Sequence, residues 1–297
     1  MRMRRLVLPV LFLAASAQAQ EQPRPARSDE IVVQGNRDLD RRVQQFVDAL
    51  TKAPLGGQIG RFDSKVCPAA IGLPDYQNQA IADRIRKVAL AAGLQVAGRG
   101  CQANALVVVA GDKNDFISAL YKTRPELFHD ANGWPRRPVL TSAPASAWQV
   151  EGLLDANGVP VSEGVSGGRP LGYTMVASTD SSRLRPATRP YFMAGVVVVE
   201  ASALAGITTT QLADYAAMRL FTRADPDKIE ASSAPTILKL LDTPMGGSAP
   251  ITLTEWDLSF LKSLYSSEAR QYANRQRSQI RHDMKRDMAL GSDQQDH

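Results

Sequence analysis

Apolar residues recur along this chain in two patterns, a helical spacing of three to four residues and short continuous runs. The helical spacing predicts helices at 38–50, 76–92, 112–120, 208–221 and 254–265. The continuous, β-prone runs predict strands at 58–62, 94–97, 105–110 and 191–200. This mixture predicts an α/β (α+β) fold, in which helices pack on a mixed sheet and a helical segment follows at the C-terminal end.

Two of the predicted helices begin with a capping signature. Thr208 is followed three residues later by Gln211, and Thr254 is followed in the same way by Asp257. A hydroxyl at the N-cap and an acceptor three residues on satisfy N–H groups that the first helical turn leaves unpaired. We therefore expect sharply defined helix starts at both places.

The segment 123–190 differs from the rest of the chain because prolines and glycines interrupt it repeatedly. Such punctuation predicts irregular surface structure with an edge strand near Trp148, or a hairpin whose strands the pattern does not place. Long segments of this kind often carry function, so 123–190 is a candidate binding surface.

The amino terminus has the layout of a secretory signal peptide. Three arginines within the first five residues precede the apolar run Leu6–Ala15 and the small-residue site Ala17–Ala19. The run is about ten residues long and a membrane-spanning helix needs about 20, so we expect cleavage after Ala19 and no transmembrane segment afterwards. The mature protein is expected in the periplasm or outside the cell.

This reading divides the chain into four parts. Residues 1–19 are the signal peptide, 20–37 a flexible leader, 38–266 a single α/β domain and 267–297 a basic helical tail. The tail combines many arginines with a narrow apolar stripe. That pattern favours either an acidic or anionic partner, or a solvated helix that packs loosely on the domain.

The net charge gives nucleic-acid binding no support. The whole chain carries a formal charge of +5, which falls to about +2 when the three arginines of the signal peptide are removed. We expect a protein or an envelope component as the partner, and no nucleic acid.

The chain contains only two cysteines, Cys67 and Cys101. In an exported protein, oxidising conditions favour a disulfide between them, which stabilises the fold by about 3–4 kcal/mol on the chain-entropy account. The alternative is a catalytic or metal-binding thiol, although no cluster of further ligands accompanies either cysteine in the sequence.

A short run near the amino terminus, Glu30–Gly35, resembles the TonB box of TonB-dependent receptors, an extended segment that adds a strand to its periplasmic partner. The resemblance implies an accessory role in TonB-linked uptake. A plain first strand or a flexible tail explains the same residues.

Hydrolase chemistry has one candidate motif, because Gly164–Gly168 satisfies the G-x-S-x-G pattern with Ser166 as nucleophile and His129 as the available base. The motif requires a strand before the serine and a helix after it, and Arg169–Pro170 stands where that helix would begin. A flexible glycine loop is the alternative. Phosphate-binding loops and the zinc motif H-E-x-x-H are absent from the sequence, so we expect no cofactor and no metal.

The C-terminal half nevertheless resembles the catalytic half of metzincin-type metalloproteases in its order of elements. In that family a buried strand leads to a helix with H-E-x-x-H, a turn containing Ile-Met follows, and a closing helix begins roughly Leu-Thr-x-x-Asp. Here the strand 191–200 precedes the helix 208–221, and Thr236–Leu238 and Leu253–Asp257 follow. The resemblance implies a zincin-like mixed sheet. The chain as a whole resembles uncharacterised exported proteins of bacteria, which implies no activity.

The resemblance also implies that the zinc motif has been lost. Asp214 and Met218 take the places of the two histidines, and Tyr215 takes the place of the glutamate base. A thioether is a poor zinc ligand, and a phenol with a reference pKa of about 10 does not accept a water proton at neutral pH. An ordinary core helix, rich in alanine, explains the same residues.

Together these features predict a non-catalytic binding or envelope-associated module, with no catalytic, cofactor-binding or metal-binding residue. A pseudo-metalloprotease is the most specific form of that prediction. The alternatives are a secreted hydrolase with an unrecognised active site, such as Ser166 with His129, and an accessory protein of TonB-linked uptake.

Overall fold

The computed structural model describes residues 28–53, 57–131, 136–161, 163–166, 169–174, 185–243 and 247–295. In chain order the helices and strands are α1 Ser28–Leu50, β1 Pro68–Ile71, α2 Asp75–Ala91, β2 Ala105–Ala110, α3 Lys113–Thr123, β3 Ala145–Asp155, β4 Glu163–Ser166, β5 Arg169–Thr174, β6 Thr188–Glu200, α4 Thr209–Phe221, α5 Pro226–Ala231, α6 Glu255–Ser266 and α7 Ala273–Gln295. Helices and strands thus alternate through the first half, and helices follow β6.

The main sheet has four strands in the order β1-β2-β6-β3. The first three are parallel, with Val107 of β2 opposite Val197 of β6, and β3 runs antiparallel to β6 at the edge. The α+β class and the mixed sheet are therefore confirmed. β2 and β6 read as continuous apolar runs because helices cover both of their faces.

The two faces of the sheet carry helices of different extent. On one face, α2, α4 and α6 join the larger core, which includes Val197 and Val199 of β6. On the other face, α3 and the segment around Phe128 pack over Val196 and Val198. A Cβ on Gly195 would lie 3.1 Å from Leu220 Cδ2, so glycine at this position lets α4 approach the sheet closely.

The two predicted capping signatures are confirmed. Thr208 Oγ1 accepts from the N–H of Gln211 at 3.2 Å, and the Gln211 side chain accepts from the N–H of Thr208 at 3.1 Å. Thr254 and Asp257 form the same reciprocal pair at the start of α6. Residues next to each helix start thereby provide acceptors for N–H groups that the first helical turn leaves unpaired.

Several local predictions are wrong. Residues 28–37, predicted as part of a flexible leader and as the extended run Glu30–Gly35, form the first part of helix α1. Once the amphipathic part from Asp38 onward is helical, adding residues to its amino-terminal end costs little. The predicted strands 58–62 and 94–97 are reduced to the isolated bridges Phe62–Phe192 and Val66–Val96.

The region 123–190 contains more regular structure than predicted. Its edge strand near Trp148 is confirmed as the eleven-residue β3, and β4 and β5 form a two-stranded hairpin. β3 was hard to delimit from sequence because polar and apolar residues lie on both of its faces and a bulge interrupts its pairing after Val150.

The predicted basic tail does not form a loosely packed appendage. Ile280 and Met284 of α7 are fully buried in the larger core, and Arg277 Nε donates to Thr51 Oγ1 at 2.9 Å. Residues 38–297 form one compact unit, which includes the predicted domain 38–266 and the tail 267–297.

The predicted disulfide is confirmed, since Cys67 and Cys101 are bonded with a Cα–Cα distance of 6.0 Å. It joins the start of β1 to the loop after α2. Among the residues that the structure describes, no helix is both long and apolar enough to span a membrane.

Candidate functional site

The three positions assigned to a lost zinc site all lie inside the protein. Asp214, Tyr215 and Met218 are on α4, and their relative exposures are 0%, 3% and 0%. They cannot be reached by a substrate in this conformation. Met218 and Leu238 are both part of the larger core, where they contribute apolar packing.

Asp214 is held by four hydrogen-bond donors. Arg84 donates through Nε to Oδ1 at 2.7 Å and through Nη2 to Oδ2 at 2.9 Å. The Thr252 hydroxyl and the Leu253 N–H donate to Oδ2 at 2.7 and 2.8 Å. Three of these donors converge on Oδ2 and one reaches Oδ1, so the fully buried carboxylate already has protein partners on both of its oxygens. The hydrogen bonds from Arg84 to Asp214 raise the pKa of the Arg84 guanidinium.

Tyr215 is equally unsuited to serve as a base. Its hydroxyl accepts from Arg219 Nη1 at 3.3 Å, and burial raises the pKa of its phenol. A raised pKa keeps the phenol protonated at neutral pH. Within the described ranges, no group of three or more histidine, cysteine, aspartate or glutamate side chains could hold a metal ion.

A second buried carboxylate joins the 236–238 turn to helix α6. Asp257 of α6 accepts from Thr236 Oγ1 at 2.6 Å and from the N–H of Ile237 at 2.9 Å. Burial raises the pKa of Asp257, and these hydrogen bonds oppose the rise. Asp257 thus fastens the 236–238 turn to the amino terminus of α6.

Ser166 does not lie in the setting that a hydrolase nucleophile requires. It ends β4 and pairs with Arg169 of β5, so strand follows strand where the motif needs a helix. His129 directly follows the short 3-10 helix Pro125–Phe128, and His282 lies on α7. His297 lies outside the described residues.

No family model, curated protein or solved structure matches this chain. The candidate site therefore rests on the geometry of the chain itself.

An open groove lies at the amino-terminal half of β6. Its volume is about 340 Å³, and its lining residues are Asp63, Ser64, Leu154, Gly158, Pro160, Tyr191 and Met193. Sequence reasoning missed this groove, because its residues come from three distant segments. Part of its wall, Gly158–Pro160, belongs to the region 123–190 that was predicted as a binding surface.

The polar wall of the groove is built on an ion pair. Arg189 Nη1 donates to Asp63 Oδ1 at 2.8 Å, and the Arg189 side chain is only 13% exposed. Hydrogen bonds anchor the segment that carries Asp63 to the end of α6. Arg61 Nη1 donates to the carbonyls of Leu264 and Ser267 at 2.7 and 2.8 Å. A smaller pocket of about 160 Å³ lies beside it and shares Asp63 and Ser64.

A buried ionisable pair lies at the bulge of β3. The sequence patterns did not predict it. Glu151 is 6% exposed, and its Oε1 lies 3.1 Å from Arg223 Nη1 without hydrogen-bond geometry. Burial raises the pKa of Glu151, Arg223 and Arg136 oppose the rise, and Asp130 adds to it. The sequence signal was a glutamate in the middle of a strand whose other charged residue, Asp155, stands at its end.

Proposed function

We propose that this protein is an exported, non-catalytic binding module with a zincin-like fold, in which the former zinc positions have become part of the core. The order of elements supports the proposal: buried β6, capped α4, the 236–238 turn and capped α6 follow one another along the chain. That is the order on which the metzincin resemblance rests.

The observation that carries the proposal is the state of Asp214. Four donors from Arg84, Thr252 and Leu253 engage both oxygens of its carboxylate, and the side chain is fully buried. Metal binding there requires these donors to be removed from a carboxylate that they hold in the interior. Met218, one helical turn later, offers only a buried thioether.

The disulfide supports the part of the proposal that concerns the compartment. Disulfides persist in oxidising environments outside the cytoplasm, and Cys67–Cys101 closes a link of 34 residues in sequence. Together with the signal-peptide layout of residues 1–19, this supports a periplasmic or secreted protein with an envelope or protein partner.

Elemental analysis of the purified mature protein tests the proposal. After incubation with excess zinc and gel filtration, we expect far less than one zinc per chain and no hydrolysis of a generic peptide substrate. The Asp214→Asn variant, measured in parallel, should show the same zinc content as the parent protein. Stoichiometric zinc that falls in Asp214→Asn overturns the proposal, and so does peptide hydrolysis that chelators abolish.

A further inference from the structure

The groove over the amino-terminal half of β6 has the chemistry of a carbohydrate subsite. We propose that the surface formed by Tyr191, Met193, Asp63 and Ser64, with Arg189 behind Asp63, binds a neutral pyranose unit of an oligosaccharide. The inference rests on the proposed role as a binding module. It does not depend on the zinc argument, because the lining residues of the groove do not include positions 214–218 of α4.

The groove lies beside the amino-terminal half of β6, which carries Tyr191 and Met193. α3 packs over Val196 and Val198, in the carboxyl-terminal half of β6. Five residues before Val198 on the same strand, Met193 is 49% exposed. The volume of about 340 Å³ lies within the usual range for small-ligand sites, about 300–1,000 Å³.

The apolar floor of the groove exists because residue 152 has no side chain. A Cβ on Gly152 would lie 2.7 Å from Tyr191 Cε1 and 3.1 Å from Met193 Sδ. The aromatic ring and the thioether therefore converge over the backbone of β3. An aromatic face is a good contact for the C–H groups on one side of a pyranose ring, because it combines a large apolar surface with a negative π cloud.

The polar wall matches hydroxyl groups better than ions. Asp63 and Arg189 neutralise each other across 2.8 Å, so a charged ligand group must break an existing pair. A sugar hydroxyl both donates and accepts, and it can therefore join the pair without separating it. Asp63 supplies acceptors and Ser64 supplies a hydroxyl that both donates and accepts, while Arg189 holds the Asp63 carboxylate in place from behind.

A peptide is the competing ligand class. Apolar side chains could cover Tyr191 and Met193, but an apolar side chain offers no hydrogen bond to the Asp63 carboxylate and the Ser64 hydroxyl beside them. Burying such groups without hydrogen bonds is costly. The polar wall thus favours a ligand that is rich in hydroxyls.

Titration calorimetry with the full mature protein tests the proposal, with chitotriose, cellotriose and maltotriose as probes. We expect at least one of them to bind with a dissociation constant of about 1 mM or tighter. Met193→Ala and Tyr191→Ala should each weaken that binding, Tyr191→Ala by about tenfold, because it removes the aromatic face. Met193 is half exposed, so its replacement leaves folding intact.

Tyr76→Ala is the matched control, since Tyr76 is 72% exposed at the start of α2 and is not a lining residue of the groove. It should bind like the parent protein. The proposal is overturned if all three sugars fail to bind at about 10 mM, if the Tyr191 and Met193 variants bind unchanged, or if the neutral peptide acetyl-Ala-Leu-Ala-amide binds more tightly than any sugar.

Chromatography of the sugar after the titration separates this proposal from the proposed function. Intact sugar that binds agrees with both. If the sugar is cleaved, the proposed non-catalytic role is overturned, whereas the groove remains the proposed ligand site. Absence of binding removes the groove proposal, while the zinc analysis of the Asp214 site stands unaffected.

Discussion

Arg84 and Asp214 form a two-pronged ion pair between α2 and α4, with Nε–Oδ1 and Nη2–Oδ2 distances of 2.7 and 2.9 Å. Asp214 is fully buried, whereas the Arg84 side chain is 34% exposed. The pair thus links α2 to α4 at the edge of the larger core. Asp214 therefore has a structural role here, whereas the metzincin resemblance assigns its position to a zinc ligand.

Removing this pair should be costly. We expect Asp214→Ala to lower the free energy of unfolding by about 3 kcal/mol, because it leaves the Arg84 guanidinium and the Thr252 and Leu253 donors without their acceptor. Urea unfolding measures the change. Asp83→Ala is the control, since Asp83 pairs with an Arg99 side chain that is 76% exposed, and it should change the free energy by less than about 0.5 kcal/mol. Equal effects of the two variants would contradict the assigned role.

Met218 should behave as a core residue. We expect Met218→Ala to lower the free energy of unfolding by about 2–5 kcal/mol, because the side chain is fully buried and its removal leaves a cavity between α4 and its neighbours. Met193→Ala makes the same chemical change at a half-exposed position and should cost less than about 1 kcal/mol. A small effect at Met218 would show that this position of α4 is not tightly packed in the core.

Glu151 should make stability depend on pH. Burial raises the pKa of its carboxyl in the folded protein, so the folded state holds the proton at pH values where the unfolded state, with a pKa of about 4.3, has released it. Its contribution is therefore fully present below the unfolded pKa and is lost as the pH rises towards the folded pKa.

Glu151→Gln keeps the shape of the side chain and removes the charge. We expect the melting temperature of this variant, relative to the parent protein, to increase as the pH rises from about 4 to 7. Glu126→Gln is the control, because Glu126 is exposed and Arg124 lowers the pKa of its carboxylate. Its relative melting temperature should stay nearly flat, with any slope opposite in sign. A difference for Glu151→Gln that falls with rising pH would contradict the prediction.

The disulfide should contribute a large share of the stability. We expect the double variant Cys67→Ala/Cys101→Ala to lose about 3 kcal/mol, since the link closes a loop of 34 residues in the unfolded chain. Guanidinium unfolding of the oxidised parent, the reduced parent and the double variant provides the comparison. The last two should agree, and a loss below about 1 kcal/mol in both would mean that the cross-link does not limit the unfolded state.

Local physical chemistry explains which elements the sequence predicted well. The apolar runs of β2 and β6 indicate strands buried on both faces, and the Thr208 and Thr254 capping pairs mark helix starts, because each of these signals is contained within a few residues. The disulfide followed from a count of two cysteines in a chain with an export signal.

Tertiary structure alone decided the remainder. β3 became an edge strand because β6 was there to pair with it, and residues 58–62 meet β6 only at the bridge Phe62–Phe192. The partners of Asp214 come from residues 84, 252 and 253, and the groove brings residue 63 to residues 189–193. Sequence patterns report on neighbours three or four residues apart, whereas these contacts span from 38 to about 130 residues, so only the folded chain could assemble them.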